Sequence, residues 1–221
     1  DEAGNPEYYT ANYAPFNILQ ELQNNTMKYD VKDVQFQVDF KYKWDDHLDF
    51  SSIASARMLN STNEHRLLEN SNSVQAYRAV GSQQIRQSNR FLYSDPTQEA
   101  FVPISVLENG GIYKFAQNNL RSYYFRNSLH YNNRFNGIHD IDALVAQEIR
   151  YVDRDGPRFT GYGLQYDRGN VPFTDPRIIE KSVNEGSDYF SLMNTRERTV
   201  AFLFKATYAY KNLYIVSFAS R

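Results

Sequence analysis

Hydrophobic and polar residues alternate with period two along three stretches of this chain. From Val34 to Trp44 the even positions carry Val34, Phe36, Val38, Phe40, Tyr42 and Trp44, and the odd ones Gln35, Gln37, Asp39, Lys41 and Lys43. Successive side chains of a strand point to opposite faces, so this pattern predicts a strand of about eleven residues with one apolar and one polar face. After Asp45-Asp46-His47 the pattern resumes as Leu48, Phe50, Ser52, Ala54, Ala56 and Met58. A three-residue loop sets Trp44 against Leu48 and Val34 against Met58, with Lys43 against Asp49 and Gln35 against Arg57 on the other face. A two-residue loop would oppose apolar to polar side chains all along the ladder. The three-residue loop is predicted.

A second hairpin follows the same logic. Tyr123, Phe125, Leu129, Tyr131 and Phe135 share a face and, across a loop at Asn136-Gly137-Ile138, meet Tyr151, Ile149, Val145, Ala143 and His139. The other face then pairs Arg126 with Glu148 and Arg134 with Asp140. Asn-Gly favours a two-residue turn, so this odd loop requires a bulge. The third hairpin runs through Val200, Phe202, Phe204, Ala206, Tyr208 and Tyr210, turns at Lys211-Asn212-Leu213 and returns with Tyr214, Val216 and Phe218. Its return strand is apolar on both faces, which constrains register less. Arg221 falls within that strand, so the chain is expected to be a piece of a longer one.

These patterns predict an all-β fold, an antiparallel meander of hairpins near 34–58, 121–151 and 199–221, joined by long polar connections near 60–119 and 152–198. Aromatic residues gather beside the tight turns, and tight turns on one side with long loops on the other are the habit of a large transmembrane β-barrel with long extracellular loops. Composition agrees. There are 18 Tyr and 15 Phe, yet the mean hydropathy is −0.66, which suits strands with one greasy and one wet face. Charge is nearly balanced, 24 basic against 26 acidic residues, and gives no pointer to nucleic acid. Cysteine is absent, which removes disulfides and thiolate metal sites. No secretory signal is visible at Asp1, and no apolar run is long enough for a spanning helix. The same alternation also fits a soluble, secreted β-sandwich that binds carbohydrate through loop aromatics.

Several segments resemble one known family. The run from Phe40 to Phe50 (FKYKWDDHLDF) resembles a hairpin of the SusC/RagA-type TonB-linked outer-membrane transporters. So do the strand Ala143 to Tyr151 (ALVAQEIRY), the loop Gly161 to Phe173 (GYGLQYDRGNVPF) and the hairpin Ala206 to Tyr214 (ATYAYKNLY), while Asn5-Pro6 followed by Tyr8 is similar to the family's preceding segment. The segments occur in the family's order and span most of the chain. The resemblance implies a piece of a roughly 22-stranded barrel in the outer membrane of a Bacteroidetes-type bacterium. Such transporters import oligosaccharides or peptides, are energised by TonB, and lie beneath a SusD-like surface lipoprotein. The plug domain, the TonB-box segment and the last barrel strand of the family have no counterpart in these residues.

Candidate chemistry is sparse. His47, His65, His130 and His139 show no ligand spacing, so no metal site and no cofactor is expected. Asp153-Arg154-Asp155-Gly156 opens like a calcium loop but lacks the bidentate Glu that would close it, and a turn is expected there. Asp140 and Asp142 lie two apart on one strand face; Asp140 is already assigned to Arg134, and a glycosidase would need a cleft around the carboxylates. No nucleophile elbow or phosphate loop occurs, so the chain is expected not to be an enzyme; a β-rich glycosidase using loop carboxylates is the most remote reading. The candidate ligand-binding residues are Tyr162, Tyr166, Asp167, Arg168, Asn170 and Phe173, which combine flat aromatic surface with hydrogen-bonding groups suited to sugars. The bland alternative has them packing the loop on itself. The run Phe101 to Leu107 is a possible buried strand with no assigned role.

Overall fold

A computed structural model of the protein describes residues 2–9, 14–98, 102–187 and 189–221. Seven strands form one antiparallel meander: β1 (Asn25–Lys43), β2 (Leu48–Leu67), β3 (Gly111–Phe135), β4 (His139–Gln165), the short β5 (Val171–Pro172), β6 (Phe190–Tyr210) and β7 (Tyr214–Ser220). The order across the sheet is β1-β2-β3-β4-β6-β7, with β5 on β4, so β1 and β7 are its edges. Four short helices lie between strands: α1 (Ile18–Asn24), α2 (Asn72–Arg78), α3 (Gln83–Ser88) and α4 (Pro176–Asn184). No described helix is long and apolar enough to cross a membrane.

The three turns fall where the alternation places them. The Trp44 amide donates to the Leu48 carbonyl at 2.9 Å, and Tyr210 pairs with Tyr214, Tyr208 with Val216 and Ala206 with Phe218. The apolar return strand therefore keeps the register of the odd loop. At the second turn Asn136 and Gly137 both have φ near +60°, and the Ile138 amide donates to the Phe135 carbonyl. That is the backbone of a two-residue turn of the primed kind, with Ile138 as the extra, bulging residue. Lys211 and Asn212 repeat it with Leu213 as the bulge. The preference of Asn-Gly and the odd register are thus both met.

The strands outrun the alternation. β2 continues to Leu67, β3 starts at Gly111, β4 continues to Gln165 and β6 starts at Phe190. The connections between hairpins shrink to 68–110 and 166–189. Residues such as Asn60 to Glu64 are polar on both faces, and a ladder held by backbone hydrogen bonds needs no alternation to persist where neither face is greasy. For the same reason Asp153 to Gly156 is strand, not turn: Asp153 and Asp155 accept from arginines on neighbouring strands instead of from their own backbone.

The chain divides into two compact units. One comprises 31–60, 118–155 and 193–221 and is almost pure sheet. Its alternating stripe is not buried. Phe36 is 68 % exposed, Phe40 54 %, Phe125 38 % and Phe204 42 %. Among the described residues of this unit the buried apolar side chains are Ala146 and Val152, and both belong to the opposite face. The stripe ends at the turns in aromatic clusters. Tyr42 meets Trp44 edge-on at 5.9 Å, and the His139 ring stacks on Tyr208 at 6.0 Å with Nδ1 and the hydroxyl 2.7 Å apart.

The other unit comprises 1–30, 61–117 and 156–192, and it holds a small core of Leu67, Val74, Val106, Leu107, Ile112 and Ile178. The run ending at Leu107 supplies Val106 and Leu107 to that core, but its regular pairing is a single bridge from Ile104 to Tyr93; Phe101 lies outside the described residues. Arg78 ties the core's rim together, donating to the carbonyls of Leu107 and Gly110 and to Glu69. Two glycines permit the close packing. A Cβ on Gly111 would lie 2.0 Å from the Leu67 carbonyl oxygen, and one on Gly163, at φ +74°, would lie 1.9 Å from that of Phe173. Gly163→Ala is therefore expected to cost more than about 1 kcal/mol from the left-handed backbone alone, with the clash added. The check is amide exchange over 171–184, which should accelerate strongly while exchange over 200–210 stays unchanged.

Candidate functional site

In the core-bearing unit a cavity of about 530 Å³ opens between α4, the segment after α3 and strands β3 and β4. Ser71 caps α2, its hydroxyl accepting from the Val74 amide, and this places Tyr77 on the helix's last turn. The Tyr77 ring stacks on Phe91 at 4.4 Å and lies 6.2 Å from Tyr162. The Arg90 guanidinium sits 5.0 Å from the Phe91 ring, and Lys114 enters from β3. On the α4 side Lys181 pairs with Glu185, one turn on. Burial, reinforced by the neighbouring Tyr162, pushes the Tyr77 phenol upward, so it stays a neutral hydrogen-bonding group. Such a wall of aromatic faces edged by cations can hold flat or apolar groups that carry acceptors.

Helix α4 frames the cavity and owes its start to Asp175, whose carboxylate accepts from the Arg177 amide, with Pro176 at the first helical position. The Arg177 guanidinium, bound to both carboxylate oxygens, holds Asp175 below the usual carboxylate range against an opposing effect of burial. A carboxyl lowered on folding stabilises the fold above its unfolded value of about 3.9, and that stability is lost as pH falls through the folded value. The pair is partly solvated, so the contribution is below about 1 kcal/mol. Amide protection of α4 should hold constant above about pH 5 and drop below about pH 4. Asp175→Asn, which keeps the cap, should remove that acid-induced drop.

The six loop residues expected from sequence do not form one site. Tyr162 lines this cavity but packs against the core, and Thr174 Oγ1 donates to its carbonyl. Tyr166 donates its hydroxyl to the Ile112 carbonyl at 3.0 Å and, with Asn170, lines a separate hollow of about 200 Å³. Asp167 and Arg168 are exposed and lie 3.8 Å from each other. Phe173 is exposed, its amide bound to the Gly163 carbonyl. Sequence reasoning missed Tyr77, Arg90, Phe91 and Lys114. A helix signal was available, Ser71 as a cap before Val74 and Tyr77, but nothing local shows that Tyr162 lies beside them.

In the sheet unit the polar face carries a cross-strand network. Arg126 lies 3.8 Å from Glu148 and Arg134 3.4 Å from Asp140, as the alternation predicts. Glu148 also accepts from Tyr124 and Arg221, Asp142 lies 2.7 Å from His130, and Ser51 is bonded to Ser128. Arg57 reaches diagonally to Asp33 at 2.6 Å, one pair along from Gln35. This face is polar and charged while the reverse is apolar and exposed.

That two-faced sheet has counterparts among solved structures. The chain is similar over 97 % of its length to part of the RagAB peptide transporter, with a TM-score of 0.65 at 11 % identity, and covers 20 % of that chain. The RagAB peptide importer in its open-open state gives a TM-score of 0.65 at 12 % identity over 98 % of this chain, and its closed-closed state 0.64 at 11 % over 97 %. The chain thus spans about a fifth of the proteins it matches, and the likeness is one of fold. No protein-family model and no curated protein matches it.

Proposed function

We propose that these residues form barrel wall and extracellular loops of an outer-membrane TonB-dependent transporter of the SusC/RagA type, importing peptides or glycans. The observation that carries this reading is the uncovered apolar stripe, Phe36, Phe40, Phe125 and Phe204 among it, on a sheet whose reverse face is charged. A stripe of about eleven residues, rising roughly 3.4 Å each and tilted about 40°, reaches about 25 Å, the height of the apolar band of an outer-membrane barrel. In this reading the stripe meets lipid, the polar network lines the lumen or meets a plug, and the edges β1 and β7 pair with further strands. The core-bearing unit then belongs to the extracellular loops, where a SusD-like lipoprotein would dock and the aromatic cavity would meet substrate. TonB would act through other parts of the protein. The fold of RagAB, a peptide importer, supports the same assignment.

Site-directed spin labels in the intact protein test it. Labels at Phe36→Cys and Phe202→Cys should collide with oxygen and be shielded from a water-soluble nickel reagent, and labels at Lys41→Cys and Lys205→Cys should do the reverse. Equal access of the nickel reagent to both faces, in protein folded without detergent, would overturn the reading in favour of a soluble sandwich. The reading includes no catalysis, since Asp153 and Asp155 are both engaged by arginines. Aryl glycosides should therefore show no turnover; hydrolysis abolished by Asp153→Asn would contradict this.

A further inference from the structure

At the end remote from the tight turns, the apolar stripe of the sheet unit gives way to a charged belt on the same face. Parity places Lys32 beyond Val34, Asn60 beyond Met58, Arg121 and Asn119 beyond Tyr123, Asp153 and Asp155 beyond Tyr151, and Arg198 and Arg196 beyond Val200. Contacts confirm the shared face. Asn60 donates to Asn119 at 2.6 Å, Asn119 to Asp155 at 2.8 Å, Arg121 to Asp155 at 3.1 Å and Arg198 to Asp153 at 2.6 Å, and Arg198 lies 4.6 Å from the Tyr151 ring. Arg196 and Arg121 also act electrostatically on Asp153. Four cations thus face two carboxylates. Further along β1 the face continues with Asp30 and Lys28, which add no net charge. Among the described residues neither Lys32 nor Arg196 has a carboxylate within 4.0 Å.

The belt has a hollow in it. Val34 and Met58 give an apolar floor, and Lys32, Asn60 and Arg121 stand around it, enclosing about 380 Å³. The turn end of the same face has no such belt: it finishes in Trp44, Phe135, Tyr210 and Tyr214, with Lys211 lying 5.4 Å from the Tyr210 ring. A cationic rim above a greasy floor, at one end of the stripe alone, complements an anionic headgroup with an acyl chain below it.

We propose that this belt is a binding surface for a phosphate-bearing glycolipid of the outer leaflet, its phosphate held between Lys32 and Arg121 and a second phosphate along Arg196 and Arg198. The inference rests on the membrane reading above. Arginine and lysine neutralise the phosphates, Asn60 can donate to them, and Asp153 and Asp155 hold the arginines in place for the headgroup.

The test uses the intact protein in phosphatidylcholine nanodiscs, alone or doped with diphosphoryl lipid A or with phosphatidylglycerol, and counts retained lipid by native mass spectrometry. Lipid A should be retained in preference to phosphatidylglycerol. Arg196→Gln, which breaks no ion pair, and Lys32→Gln should each weaken retention about fivefold, the effect of one cation at a membrane surface. Arg121→Gln should weaken it further, and Arg134→Gln on the opposite face should not. Equal retention of phosphatidylglycerol, or lipid A retention indifferent to Lys32 and Arg196, would overturn the proposal. Failure to enter nanodiscs at all would refute the membrane reading itself, a separate result.

Discussion

The structure depends on one exposed surface: an apolar stripe shared by three hairpins, which the described residues leave uncovered. A soluble sheet buries such a face against a second layer, because exposed apolar area beyond a few hundred Å² drives association. Here the stripe residues are exposed while Glu148, on the polar face, keeps only 14 % of its side chain accessible. In the proposed reading, hydrocarbon on one side and water on the other removes the contradiction, and closed sheets are the β-structures that can accept that arrangement, since every backbone group is then paired within the protein.

The small core elsewhere obeys ordinary rules. Leu67, Val74, Leu107, Ile112 and Ile178 exclude water from one another, Gly111 and Gly163 let backbones approach, and Asp175 and Ser71 satisfy helix starts. It is held by local caps and a few long-range contacts such as Arg78 to Leu107. This combination orders a long connection enough to present an aromatic cavity.

The two faces and two ends of the sheet unit divide its tasks. Charge pairs occupy the polar face, among them Arg126 with Glu148 and His130 with Asp142. Aromatic rings at the turns and arginines at the far end bracket the stripe differently. That polarity gives the face a direction, which the proposed insertion in an asymmetric membrane would require.

Alternation by itself determined the hairpins, the odd registers and the pairs Arg126 with Glu148 and Arg134 with Asp140, because a one-residue slip would turn every side chain to the wrong solvent. It also marked the stripe that Phe36 and Phe204 share. Strand length beyond the stripe was not legible: from Asn60 onward neither face is greasy, so the ladder continues with no signal in the side chains. Nor was the cavity. Tyr162 is far in sequence from Tyr77 and Phe91 and meets them only because β3 and β4 carry the intervening chain back to α2. Asp153 and Asp155 look like turn residues until Arg198 and Arg121 arrive on neighbouring strands. Period and register are local properties that a sequence states directly; which distant charges and rings become neighbours is settled only when the sheet is assembled.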